Sequence, residues 1–171
     1  MFFVYGMTYT SSNYADHVNI SDSIPHAIQK LLLVFGVNTT CGILKDKAYV
    51  QKFGTYAVPK PFPIPSLLLL FLRDIITVAA AFTWPPILGK VLASATGLSE
   101  RQGTAAVQLL SPLLIQIVAT PLHLLGLDLY NREGVSLANR FKYIKGLYMY
   151  TLGMRMIRFL PAYGIGGVVN T

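Results

Sequence analysis

The last long apolar stretch of the chain, GLYMYTLGMRMIRFLPAYGIGGVV from Gly146 to Val169, most constrains the fold. It is as long as a bilayer-spanning helix, yet Arg155 and Arg158 sit inside it, three residues apart and so on one helical face. A charge turned toward the hydrocarbon centre costs about 2.5 to 3.5 kcal/mol on insertion scales. Both arginines are therefore expected to face a protein interior, a water-filled cavity or the headgroups. Pro161, three residues beyond Arg158, removes a backbone donor and predicts a kink.

Composition places the rest of the chain in the bilayer with this segment. Hydrophobic residues are 53% of the 171 and charged residues 12%, against about a quarter charged in soluble domains. The net charge of +7 falls mostly in loops between apolar segments. It reads as topology and contact with lipid headgroups, anionic lipid included, and not as nucleic-acid binding. The single cysteine, Cys41, excludes an intramolecular disulfide and in its apolar run is expected to be a small buried hydrophobe.

Four apolar stretches organise the chain. Residues 1–23 read as a polar N-terminal tail, in which MFFVYGM is too short for a signal-peptide core and Asn19-Ile20-Ser21 fits the glycosylation sequon. Targeting is then internal, or the chain begins inside a longer protein. The first stretch, 24–44, starts after Ser23 as a candidate N-cap, and its small polar second half (Gly36, Asn38, Thr39, Thr40, Gly42) suits helix packing. A lysine-rich and then proline-rich loop follows, with a short amphipathic piece expected at Ala48–Phe53.

The second stretch, 66–88, is bounded by prolines and interrupted by Arg73 and Asp74. As helix neighbours these point about 100° apart and are not an ideal mutual pair; the residues read either as an internal charge pair that fixes packing or as substrate or gating contacts, each with partners on other helices. The third, 105–127, carries the kink candidates Pro112 and Pro121, with His123 just beyond as a hydrogen-bonded packing residue or a path residue. Nothing near it has metal-ligand spacing, and the sequence implies no metal and no cofactor. The chain thus divides into 1–23, a helix pair at 24–88, a linker at 89–104 and a second helix pair at 105–171.

Lys45, Lys47, Lys52 and Lys60 follow the first stretch, and Arg132, Arg140, Lys142 and Lys145 follow the third. Both basic loops are expected on one side of the membrane and both termini on the other. Each half reads as an apolar helix, a basic loop and a proline-bearing helix. VNTTCGILKDK (37–47) and VATPLHLLGLD (118–128) align in short register as an internal repeat.

The run ATPLHLLGLDLY (Ala119 to Tyr130) resembles the proline signature of the odd-numbered helices in the mitochondrial carrier family, and Glu133-Gly134 resembles the acidic-glycine pair that follows it. IKGLYMYTLGMRMIRFLPAYGI (Ile144 to Ile165) resembles the pattern of that family's even helices. The resemblance is clearest over 105–169. Where the family carries an acidic and a basic residue after the signature proline, this chain has His123 and Gly126, and Thr40 stands where the first half would carry its proline. It implies a degenerate or partial member. The fold would be an all-α polytopic membrane bundle of about four transmembrane helices in two carrier-like helix-pair repeats, multi-pass in the mitochondrial inner membrane. The function implied is transport of a small, anionic metabolite, with Arg73, Asp74, Arg155, Arg158 and His123 lining the path. Since two repeats do not close a three-repeat pore, a homo-oligomer or further repeats of a longer chain would complete it. The loss of gate residues supports an alternative, a non-transporting protein with a structural, assembly or insertase role. No nucleophile, metal or paired-carboxylate pattern supports an enzyme.

Overall fold

The computed structural model describes residues 2–18, 23–53 and 63–170. Among them the chain is all-α, in five continuous helices. These are α1 (Phe2–His17), α2 (His26–Phe53), α3 (Ile64–Val78 continued by Trp84–Thr96), α4 (Glu100–Leu114 continued by Gln116–Asn131) and α5 (residues 137–170). The sequon and the proline-rich residues 54–62 lie outside the described residues.

α3 and α4 form the central antiparallel hairpin, and α5 runs back along α4. On the far side α2 packs against α3, while α1 lies on α2 and reaches α5 through its aromatic rings. The five helices thus close a ring. Its interior is polar: Asn38, Asp74, Gln108, Gln116 and Arg155 are buried, whereas Leu68, Leu72, Leu110, Leu114 and Ile157 are exposed. That inversion of the water-soluble pattern is what a bilayer selects, because lipid covers apolar side chains and the bundle must satisfy its own polar ones. α2 (His26–Lys45), α3 (Ile64–Thr96) and α4 (Glu100–Asn131) are long and apolar enough to cross a membrane. The fourth expected span, 146–169, lies within α5, whose charges keep it out of that set.

Several local expectations are corrected. Residues 2–17, expected as a polar tail, form a helix whose small polar face (Thr8, Ser11, Ser12) is buried with Ala15. α2 starts at His26, two residues after the start expected behind Ser23, because Pro25 supplies the carbonyl that receives the first helical N–H groups. The helix also runs on through Ala48–Phe53 without a break. The linker expected at 89–104 shrinks to a turn. Gly97, at φ 74°, is the left-handed C-cap of α3, and Ser99 with Gln102 forms the capping box of α4. A Cβ on Gly103 would meet the backbone oxygen of Gly89, so two glycines bring the hairpin helices into backbone contact.

The prolines explain the remaining geometry. Pro85 and Pro86 do not end α3. The ladder slips to a π-turn over Ala79–Thr83 in which Trp84 N–H reaches Ala79 O, and in that register the N–H groups that Pro85 and Pro86 lack leave Ala80 O and Ala81 O without local donors. The freed carbonyls are taken from α4: Ser111 Oγ donates to Ala80 O at 2.5 Å and Gln108 Nε2 to Ala81 O at 2.8 Å. Gln108 Nε2 also donates to Tyr163 O at 3.1 Å, in the π-turn Leu160–Ile165 that Pro161 opens in α5. Pro121 leaves its helix unbroken, and the carbonyl it orphans, Ile117 O, receives the hydroxyl of Tyr148 at 3.0 Å. Three residues after Pro112, α4 passes through a turn at Ile115.

Candidate substrate cavity

The ring encloses a polar cleft, with about 510 Å³ of empty space including its mouth. Each wall is set by helical spacing. α2 contributes Asn38, Gly42 and Lys45, α3 Arg73, Asp74 and Thr77, and α5 Arg155, Arg158, Phe159 and Tyr163; α1 supplies Val4 and Tyr5. The four charged residues singled out in the sequence therefore meet at one place.

Arg73 and Asp74 pair with each other. The long arginine stem bends so that Nε donates to Asp74 Oδ1 at 2.8 Å. Arg73 Nη1 reaches His123 Nδ1 at 2.7 Å on α4. A guanidinium only donates, so Nδ1 must accept and the His123 proton sits on Nε2. His123 thus stands behind the wall as the support of Arg73.

Arg155 is 5% exposed, and its partner is a neutral amide. Nε and Nη2 both donate to Gln116 Oε1, at 3.0 and 2.8 Å. Gln116 is fully buried and fixed in turn by Nε2 donating to Pro112 O at 3.0 Å. Arg155 Nη1 has no protein partner among the described residues and is not enclosed, which leaves it reachable from the cavity. Arg158, one turn on, is exposed and lies over the ring of Phe159. Among the described residues Asp74 is the one carboxylate in the lining, so cationic groups predominate there.

The polar side of the cavity is built from α1 and α2. Asn38 Oδ1 sits 3.1 Å from Thr8 Oγ1 and 3.3 Å from the Tyr163 hydroxyl. The rings of Tyr5 and Tyr163 meet edge to face at 5.1 Å. Tyr9 closes the junction by donating to Ala162 O at 2.6 Å. Tyr5, Asn38, Thr77 and Gln116 are the residues that the sequence alone did not single out. Gln116 had a signal, an amide inside an apolar run, of the same kind that marked the arginines.

Away from the cavity, Asp128 is buried at the foot of α4, where Arg132 Nε donates to it at 2.6 Å and Arg140 Nη1 at 2.5 Å. Two of the four basic residues expected in a loop are thus used to close the α4–α5 connection. Lys142 and Lys145 remain exposed.

A ring of apolar-faced helices around a charged cleft defines a polytopic membrane protein built to pass or hold a small polar solute. Over residues 1–171 the chain matches the family described as probable citrulline exporter, and it belongs to that family. No curated protein and no solved structure matches it. The match corrects the resemblance to the mitochondrial carrier family: the family found is a different one, and no carrier family matches. The mitochondrial location, drawn from that resemblance, loses the support it had there. Membrane insertion and transport stand.

Proposed function

We propose that the protein exports citrulline, or an α-amino acid with a similar uncharged polar side chain, through the cleft between α1, α2, α3 and α5. The observation that carries this reading is Arg155, a buried guanidinium whose partner is an amide and whose Nη1 remains open to the cavity. A buried cation without a counter-charge is costly, and an entering carboxylate supplies the missing charge. The substrate carboxylate then lies against Arg155 and Arg158, and its ammonium is directed to Asp74. The ureido group, which both donates and accepts, suits the amide of Asn38 and the hydroxyls of Tyr5 and Thr77. Exposed Lys142 and Lys145 meet anionic headgroups at one face of the bilayer.

The test is efflux of labelled citrulline from liposomes carrying the purified protein, with Arg155→Ala as the comparison. Efflux above empty liposomes that Arg155→Ala abolishes, in a variant that stays folded, is the expected result. Efflux no faster than from empty liposomes, with the protein correctly inserted, refutes the reading.

A further inference from the structure

A buried arginine is ordinarily neutralised by a carboxylate, and this cavity shows both solutions side by side. Arg73 has Asp74, whereas Arg155 is held by two hydrogen bonds to the single oxygen Gln116 Oε1. The amide oxygen orients the guanidinium through two hydrogen bonds and, unlike a glutamate, leaves the positive charge intact. Gln116 lines no part of the cavity and is fully enclosed, so it does not meet a solute itself.

We propose that Gln116 is the positioning residue that makes the exporter select substrates bearing a carboxylate, by orienting Arg155 without neutralising it. This rests on the export reading above. It extends that reading by assigning selectivity for the carboxylate to a residue behind the wall. Glutamate at 116 would convert Arg155 into a closed ion pair like Arg73–Asp74, and the cavity would lose its buried open counter-charge and keep only the exposed Arg158 of the Arg155–Arg158 pair. Methionine at 116 would keep the volume and release the guanidinium.

The experiment uses the full chain in liposomes and two solutes, citrulline and N-(4-aminobutyl)urea, which is citrulline without its carboxylate. Wild type is expected to move citrulline and reject the amine. Gln116→Glu is expected to raise KM for citrulline about tenfold or more, the equivalent of losing one charge-assisted contact. It should also raise the ratio of amine to citrulline transport, which a merely damaged protein does not do. Gln116→Met should raise KM for citrulline with kcat retained and with no gain for the amine. A Gln116→Glu protein with wild-type KM and unchanged rejection of the amine overturns the proposal. If Gln116→Glu does not fold, unchanged KM in Gln116→Met overturns it.

A second measurement needs no transported substrate. In micelles, sulfate is expected to raise the thermal midpoint of wild type above that in chloride at equal ionic strength, and Gln116→Glu should abolish the difference. If wild type moves no citrulline, the export reading fails. The sulfate comparison still decides Gln116, since an undiminished shift in Gln116→Glu refutes its role.

Discussion

Replacing Gln108 with leucine tests the reading that α3 and α5 bend where they do because a side chain of α4 completes their backbones. The amide of Gln108 donates to Ala81 O and Tyr163 O, one in each π-turn. Ala81 O has no local alternative, because the residues four and five ahead are Pro85 and Pro86. An orphaned buried carbonyl costs about 1–3 kcal/mol, so two would cost about 2–6. Interhelical hydrogen bonds in membranes average only about 0.6 kcal/mol when both partners can find substitutes, which sets a floor of about 1.2 for the pair. The prolines deny that substitution to one of the two, so a loss of about 2–4 kcal/mol is expected. Reversible unfolding of the purified protein in mixed micelles would measure it. The decisive comparison is a cycle with Pro85→Ala/Pro86→Ala, which restores N–H groups able to reach Ala81 O. Gln108→Leu should cost less in that background than in the native one. A loss below about 0.5 kcal/mol in the native background, or additivity within the same margin, refutes the argument.

Other outcomes follow from the same contacts. Arg140→Ala leaves Asp128 buried with Arg132 as its remaining cation among the described residues and should cost about 3–5 kcal/mol; Asp128→Asn/Arg140→Gln, which removes both charges, should recover part of that loss in the same unfolding assay. Gly103→Ala drives a methyl into the Gly89 carbonyl and should destabilise by about 1–3 kcal/mol or more, read as a lowered thermal midpoint in micelles. Tyr148→Phe orphans Ile117 O behind Pro121; it should cost about 1 kcal/mol, and Pro121→Ala should cancel the cost. His123→Phe removes the acceptor of Arg73 Nη1 and should raise KM for citrulline efflux, while His123→Asn, which keeps a polar acceptor, should lie between it and wild type.

The charged residues were the most legible part of the molecule, because a charge in an apolar run must be used or the helix does not insert. Arg73, Asp74, Arg155 and Arg158 converge on one cavity for that reason. The apolar stretches likewise overlap α2 to α5. α1 was not legible: its buried face is Thr8, Ser11 and Ser12, and polarity that marks a surface helix in water marks an interior one in a bundle whose outside is lipid. Pro85 and Pro86 read as a stop because the donors that carry the chain past them, Gln108 and Ser111, lie more than twenty residues away on another helix. Arg73 and Asp74 point about 100° apart on their helix, and the arginine stem is long enough to bend around that angle. Gln116 was passed over because an amide bears no charge, although burying one in a membrane asks for the same kind of account.

The features behind the carrier resemblance each have a local cause here. Pro121 opens Ile117 O, which Tyr148 of α5 closes, so a proline in α4 and a tyrosine in α5 form one joint. Gly134, at φ 72°, turns the chain between α4 and α5, where a side chain would be strained. The spacing of Arg158 and Pro161 places a cation one turn before a π-turn whose Tyr163 carbonyl is held by Gln108. Any bundle that bends helices around a polar cavity needs prolines to free carbonyls, side chains to satisfy them, and cations close to the bends. A short pattern made of those parts therefore reports the physical problem of a polar site in a bilayer, and two different families that meet it can share the pattern.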